Sequence, residues 1–376
     1  MSQADLILKM VGGFFRPQHP AYLIFFVTSR CNCGCTMCFN KENVQSASRS
    51  KEMSLPEIEK IARSCNTLPQ LLLSGGEPFL RQDVADIVSL FYRYAGTRQF
   101  SIPTNATLAR QTYSSVERML EECPNAFFNI NLSLDALGEK HDESRALKGC
   151  FERLHETYER LNILRGRYNR LSVNFLTVIK SDNAGDAKDI FEYVRSNFKA
   201  NYHMFGTVRG QVDETQKEFD VERINELLNQ IYQHKSTFDR LPLFGRVAPA
   251  VARVVRKTLV EAESSRQRNF HCLAGRKMVV VTPEGMLMPC EPLWLETSVR
   301  KGRGRDEFVL ADLAEFDYDI KAALNSGQAK KINSFIDKRR CACTYGCAVF
   351  NSIIYCPRMY PKILKELLYP VHLRPL

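Results

Sequence analysis

Four cysteines fall within eight residues in TSRCNCGCTMCF, residues 28–39. Cys31, Cys35 and Cys38 stand in the spacing C-x3-C-x2-C, and Cys33 is an extra thiol inside the loop. Three thiolates on one tight loop suit three irons of a cubane and leave a fourth iron open to another ligand; soft thiolates also suit zinc. A four-cysteine zinc site more often uses two separated knuckles than one crowded loop. A second set lies far along the chain. Cys272 and Cys290 flank KMVVVTPEGMLMP, which alternates like a hairpin turning at Pro283-Glu284-Gly285. Cys341, Cys343, Cys347 and Cys356 follow in RRCACTYGCAVFNSIIYC. A hairpin thiol pair and a distant thiol loop together are able to close a second site.

Thirteen cysteines, an odd number, are clustered rather than spread like a disulfide framework, which favours metal ligation. Cys65, Cys123 and Cys150 lie on helical patterns and Cys356 among aromatics, so these four read as core thiols. The 376 residues suffice for a large domain plus a smaller one. No stretch reaches the roughly 20 apolar residues of a membrane span, and the N-terminus does not read as a signal peptide, so a cytoplasmic protein is expected. The net charge of +10 suits an anionic substrate, a membrane surface or nucleic acid, but the basic residues are scattered and form no nucleic-acid motif.

The elements that must position these thiols follow a rhythm from residue 21 to about 210. Short β-rich runs (AYLIFFVTS, QLLLSGG, QFSIPTN, FFNINLSLD, LSVNFLTVI, YHMFGTVRG) alternate with amphipathic helical stretches. Six such units predict an α/β fold with a parallel sheet, open or curled as a partial (β/α)6 TIM-like barrel. Ligands in such folds sit beyond the carboxyl ends of the strands, where the first thiol run and the polar motifs lie. The expected domains are an N-terminal extension (1–20), the core (21–210), a helical linker (211–270) and a small Cys-rich unit (271–376).

The C-x3-C-x2-C loop after the first strand resembles the signature of the radical SAM enzymes. Met37 occupies the position where an aromatic residue is usual, and Phe39 is displaced from it. Ser74-Gly75-Gly76-Glu77-Pro78 ends the second strand and resembles the family's GGEP motif, which meets the amino group of S-adenosylmethionine. Thr104-Asn105-Ala106-Thr107 is similar to the TNGT segment, with alanine for glycine. Ser133-Leu134-Asp135, followed by His141-Asp142 and Arg145, is similar to the SLDG, HD and R positions. The resemblance implies a [4Fe–4S] cluster on Cys31, Cys35 and Cys38. It also implies S-adenosylmethionine against Gly75, Gly76, Glu77, Pro78, Asn105, Ser133 and Asp135. For Ser133 and Asp135, substrate contact or a strand-end structural role stays open. Reductive cleavage of the cofactor would give a 5′-deoxyadenosyl radical that abstracts hydrogen from substrate. The cofactor carries that step, and the protein supplies position and water exclusion.

Cys272-x12-Gly285-x4-Cys290 resembles the auxiliary-cluster unit of the same family, in its short twitch or longer SPASM form. Complete SPASM units carry seven cysteines; six follow residue 270 here, so one auxiliary iron–sulfur cluster, of the [4Fe–4S] kind, is expected. Its ligands would be Cys272, Cys290, Cys343 and Cys347, with Cys341 as the alternative to Cys343. The catalytic residue is not identified. Arg209 reads either as a clamp for an anionic group or as one half of a structural ion pair. About twenty residues precede the first strand, which weighs against a peptide-recognition domain there and favours a small-molecule or lipid-linked substrate, in a dehydrogenation among other outcomes. A peptide or protein maturase is the alternative, and a non-enzymatic iron–sulfur or zinc protein the reading from another class. The chemistry calls for an electron donor such as a flavodoxin or ferredoxin. The apolar face of YPKILKELLYPVHL packs on the fold or rests peripherally on a membrane.

Overall fold

The computed structural model describes residues 19–65, 67–232, 244–265, 267–296, 300, 302–338 and 343–368. Cys341 and most of the expected N-terminal extension lie outside the described residues. Strands β1 (Tyr22–Thr28), β2 (Gln70–Gly75), β3 (Gln99–Thr104), β4 (Phe127–Ser133), β5 (Leu171–Ile179) and β6 (His203–Thr207) fall where the sequence predicts them. They pair in parallel, each with its sequence neighbour, as the side of a partial TIM-like barrel. Helices α1 (Leu55–Ser64), α2 (Val84–Tyr94), α3 (Ala109–Glu122), α4 (Glu139–Arg145), α5 (Cys150–Arg167) and α6 (Ala187–Asn197) occupy the crossovers.

Period-2 alternation divides each strand between two environments. Outward residues are large, apolar and buried against the helices. Phe25 meets Phe91 of α2 edge-on at 6.2 Å, and Phe100 stacks on Phe128 of the next strand at 5.2 Å. Inward residues are polar or half-buried. Asn131 donates to Ser101 Oγ (2.9 Å), Asn174 donates to Asn131 Oδ1 (3.1 Å), and Ser172 donates to Asn174 Oδ1 (2.8 Å). A closed eight-stranded barrel packs its interior with branched side chains. An amide ladder in that place marks a lumen built to hold polar groups.

The sheet does not end at β1. Its order is β6-β5-β4-β3-β2-β1-β7-β8-β9. β7 (Met278–Val281) runs parallel to β1, pairing Tyr22 with Met278 through Phe25 with Val281. β8 (Met286–Met288) and β9 (Ala311–Asp312) follow antiparallel. The predicted hairpin is present, with Gly285 at φ +92° and its amide donating to Thr282 O at 3.0 Å. All four β7 side chains are buried, so both faces of this strand are covered.

Helices α7 (Val221–Tyr232) and α8 (Phe244–Ser265) fall in the expected linker. After β8 come α9 (Glu291–Leu295), α10 (Gly327–Lys338), α11 (Gly346–Tyr355) and α12 (Tyr360–Leu368). α8 packs on α11 and α12. The contact with α12 is polar: Glu366, 6% exposed, accepts from Arg253 Nε (3.1 Å) and Lys257 Nζ (2.5 Å). The apolar stripe read from the sequence is in part outward, with Leu364 54% and Leu368 63% exposed. Among the described residues, no helix is long and apolar enough to cross a membrane.

Candidate functional site

The thiol loop leaves β1 at Thr28 and is braced from three sides. Gly75 and Gly76 at the end of β2 lie against it: Gly76 N donates to Thr28 O (2.8 Å) and Glu77 N to Arg30 O (2.9 Å). A Cβ on Gly75 would run into the Thr28 carbonyl, and one on Gly76 into the Arg30 carbonyl. These glycines therefore permit close approach of one strand end to the other, which is the structural reason for glycine there.

Glu77 is 1% exposed and its carboxylate is fully engaged. Oε1 accepts from Phe79 N (3.1 Å) and Thr104 Oγ1 (2.9 Å), and Oε2 from Asn105 N (2.7 Å). Burial pushes its carboxyl up to about 7, against the pull of those donors. Glu77 thus ties the end of β2 to the end of β3, and Pro78 beside it is buried. Asn105 completes the tie: its amide nitrogen reaches Asn32 Oδ1 (2.8 Å) and lies 3.8 Å from Cys31 Sγ.

The third brace comes from β4 and α4. Asp135, wholly buried, accepts from Val178 N (2.9 Å) and is ion-paired with Arg145. Arg145 Nη1 lies 3.6 Å from Cys35 Sγ, while the Arg145 carbonyl accepts from Gly34 N (3.0 Å). His141 Nδ1 accepts from Asp135 N (3.3 Å), and Asp142 caps α5 through Phe151 N (2.8 Å). The SLD, HD and R motifs form one connected mount beneath the loop. Ser133 differs from its neighbours, being half-buried on the lumen side.

Cys31, Cys35 and Cys38 are all half-buried, with sulfurs on one short loop at the strand ends. Hydrogen bonding from the Cys33 thiol pulls Cys31 down to about 7 and Cys35 to about 6, with Arg145 assisting at Cys35. Burial pushes Cys38 up to about 11. Cys33 keeps its proton, held chiefly by its hydrogen bond to Cys150. Cys150, expected to be only core, therefore belongs to the thiol mount. Among the described residues no three His, Cys, Asp or Glu groups converge on one metal ion. A cubane takes each thiolate at a separate iron, so its ligands stand further apart than those of a single ion. Soft, partly ionised thiols beside a guanidinium fit such a cluster.

The second thiol set is enclosed differently. Cys272 and Cys290 are buried and Cys343 and Cys347 half-buried, all within one apolar cluster. Leu273 N donates to Ser352 Oγ of α11 (3.1 Å), which brings the Cys272 segment against the helix that carries Cys347. Burial, with Glu291 nearby, pushes the Cys347 thiol up. None of the described cysteines forms a disulfide.

Arg209 is an ion-pair residue rather than an open anion clamp. It pairs with Glu291 and, at 3.5 Å, with Glu296. Sequence reading missed this partner set, along with the Cys33–Cys150 contact and the Asn32 bond to Thr107 Oγ1 (2.8 Å). The HD and R resemblance was the one signal that pointed at Arg145.

The family model "Radical SAM superfamily" matches residues 25–194. Among characterised proteins, the chain is 26% identical over 201 residues to a GTP 3',8-cyclase of Campylobacter lari, covering 50% of this chain and 59% of that one. It is 27% identical over 288 residues to an AdoMet-dependent heme synthase of Methanosarcina barkeri, covering 72% and 76%. Among solved structures, Streptococcus suis SuiB bound to its precursor peptide SuiA shares the fold at TM-score 0.58 and 15% identity, over 93% of this chain and 74% of that one. Native anSMEcpe with bound AdoMet and a peptide does so at TM-score 0.56 and 15% identity, over 93% and 97%. Residues 25–194, which carry the thiol loop and its mounts at the ends of β1 to β4, thus form a radical SAM superfamily domain, and the chain shares its fold with SuiB and anSMEcpe.

Proposed function

We propose that this chain uses radical SAM chemistry to modify a peptide or protein segment. The carrying observation is the half-exposed thiol loop, mounted on Arg145, at the mouth of a lumen lined by amides and hydroxyls. A [4Fe–4S] cluster on Cys31, Cys35 and Cys38 would supply the electron that cleaves S-adenosylmethionine to the 5′-deoxyadenosyl radical. The chain's own part is to hold the thiols, to keep Cys31 and Cys35 near ionisation, and to present substrate to that mouth.

Three features support a peptide. Ser101, Asn131, Ser172 and Asn174 form a hydrogen-bonded polar ladder, and its half-buried members Ser101 and Ser172 are the hydroxyls within reach of a peptide backbone. Among the described residues the sheet pairs β6 with β5 alone and leaves its other edge unpaired, an edge to which an extended chain has access. Two structures of the same fold hold peptides, and anSMEcpe, matched over 97% of its length, does so at a size close to this chain's. A short N-terminal segment is therefore no argument against a peptide. The cyclase and heme synthase relatives favour a second reading, a small or lipid-linked metabolite.

Cys272, Cys290, Cys343 and Cys347, with Cys341 as alternative, are proposed to hold one auxiliary iron–sulfur cluster, and a flavodoxin or ferredoxin to supply electrons. To decide between substrates, 5′-deoxyadenosine release is measured with a random peptide pool and, separately, with a deproteinised metabolite fraction. Stimulation by the peptide pool alone is expected. Stimulation by the metabolite fraction alone overturns the peptide reading and leaves the second.

A further inference from the structure

One side chain touches residues within two positions of three of these thiols. The Arg209 guanidinium lies 4.6 Å from the ring centre of Phe39, which follows Cys38. On its other side it lies 4.4 Å from the ring of Tyr345, two residues before Cys347. Its edge pairs with Glu291, which follows Cys290, and with Glu296 at 3.5 Å. The Glu291 side chain is 3% exposed and that of Arg209 28%, so these charges are poorly screened by water. The local backbone is shaped for this contact: Gly210 has φ +84°, and a Cβ there would come within 2.9 Å of Phe39 Cβ. Lys217, the next cation to feel Glu296, is paired with Glu214 at 2.7 Å.

We infer that Arg209 is a positioning residue that couples the first thiol loop to the C-terminal thiol segment, both mechanically and through its charge. The inference rests on the radical-site reading. Mechanically, the guanidinium lies between the rings of Phe39 and Tyr345 and so ties the segment that follows β6 to both the first thiol loop and the C-terminal thiol segment. Electrostatically, one guanidinium stands against two carboxylates, for a formal −1. Removing Arg209 alone makes this −2, and removing Glu291 alone makes it 0. A cluster gains negative charge on reduction, so a more negative surrounding lowers its potential and a less negative one raises it.

The test is a redox titration, followed by electron paramagnetic resonance, of the cluster on the first loop in anaerobically reconstituted full-length protein. R209Q is expected to lower the midpoint by at least the 59 mV that a tenfold change in the one-electron equilibrium represents. E291Q is expected to raise it, R209K to stay near wild type, and R209Q/E291Q to return toward wild type because its formal charge is again −1. A merely structural role for Arg209 would lower the melting temperature without this alternation of sign. Potentials that do not move, or that move in the same direction in R209Q and E291Q at wild-type iron content, overturn the coupling. If R209Q does not fold, the sign of the E291Q shift decides. Wild-type protein that takes up no iron overturns the radical-site reading itself, and the coupling with it.

Discussion

The two thiol regions of this molecule are built on opposite principles. At the first loop the thiols have polar, committed partners: Arg145 beside Cys35, Asn105 beside Cys31, and Asp135 and Glu77 buried behind them. Around the second set the walls are apolar and aromatic, with Cys272 and Cys290 in the core. The consequence shows in the thiols. Hydrogen bonding pulls Cys31 and Cys35 down toward neutrality, whereas burial pushes Cys347 up. Two of the three thiols of the first site are preorganised as thiolates, while burial pushes the third, Cys38, up to about 11. At the second, burial disfavours the Cys347 thiolate, so loading metal on that thiol carries a desolvation cost that Cys31 and Cys35 have already met.

The largest effect expected from breaking this contrast is at Arg145. Arg145→Met leaves Asp135 buried without its partner, at a cost of about 3–5 kcal/mol. Urea denaturation of the metal-free protein reads that loss, and iron uptake at the first loop should fall with it. Next comes backbone crowding. Gly76→Ala drives a methyl into the Arg30 carbonyl, which is main chain and cannot swing away. Gly285→Ala in the hairpin presses only on the flexible Met53 Sδ at 3.2 Å, with the Tyr318 ring at an ordinary 3.7 Å, though at φ +92°. The Gly76 variant should lose more stability, by about 1 kcal/mol or more over the roughly 1–2 kcal/mol that a left-handed alanine costs. Equal losses would mean that the strand-end contact is softer than it looks.

Alkylation sharpens the contrast with less disturbance. Cys35 and Cys347 are both half-buried, so access is comparable. In metal-free protein the iodoacetamide rate at Cys35 should rise as pH passes about 6 and then level off. At Cys347 it should still be climbing above pH 9, because its thiolate forms later. Peptide mapping against pH separates the two curves. The smallest effect is expected at Lys140, which shares α4 with Arg145 but pairs with Asp186 at 71% side-chain exposure. Lys140→Ala should leave the denaturation midpoint unchanged. Buried and exposed ion pairs on one helix then bracket what the mount contributes.

Much of this organisation was legible in the chain. The six β/α units, the thiol loop and the hairpin at Gly285 are all local patterns, and local periodicity reports them well. Helix α3 begins at Ala109, where a buried face formed by Ala109, Thr112 and Val116 carries the helix toward β3, a start that no capping residue in the sequence announces. What pattern does not report is pairing across long sequence distance. The β7 register on β1 joins residues some 250 positions apart, and nothing in MVVV names its partner. The same holds for Arg209 with Glu291 and for Cys33 with Cys150. At the site, residue types were legible but their orientation was not. Glu77 and Asp135 face protein donors, Ser133 faces the lumen, and only the fold distinguishes them.

The central claim is that the first loop holds a cluster which cleaves S-adenosylmethionine. Its most direct test is 5′-deoxyadenosine formation by anaerobically reconstituted protein with dithionite and S-adenosylmethionine, beside Cys35→Ala. Product from the wild type, with none from the variant, is the predicted result. Equal product from both, or none from wild type carrying full iron and sulfide in the presence of both substrate pools, would contradict the account.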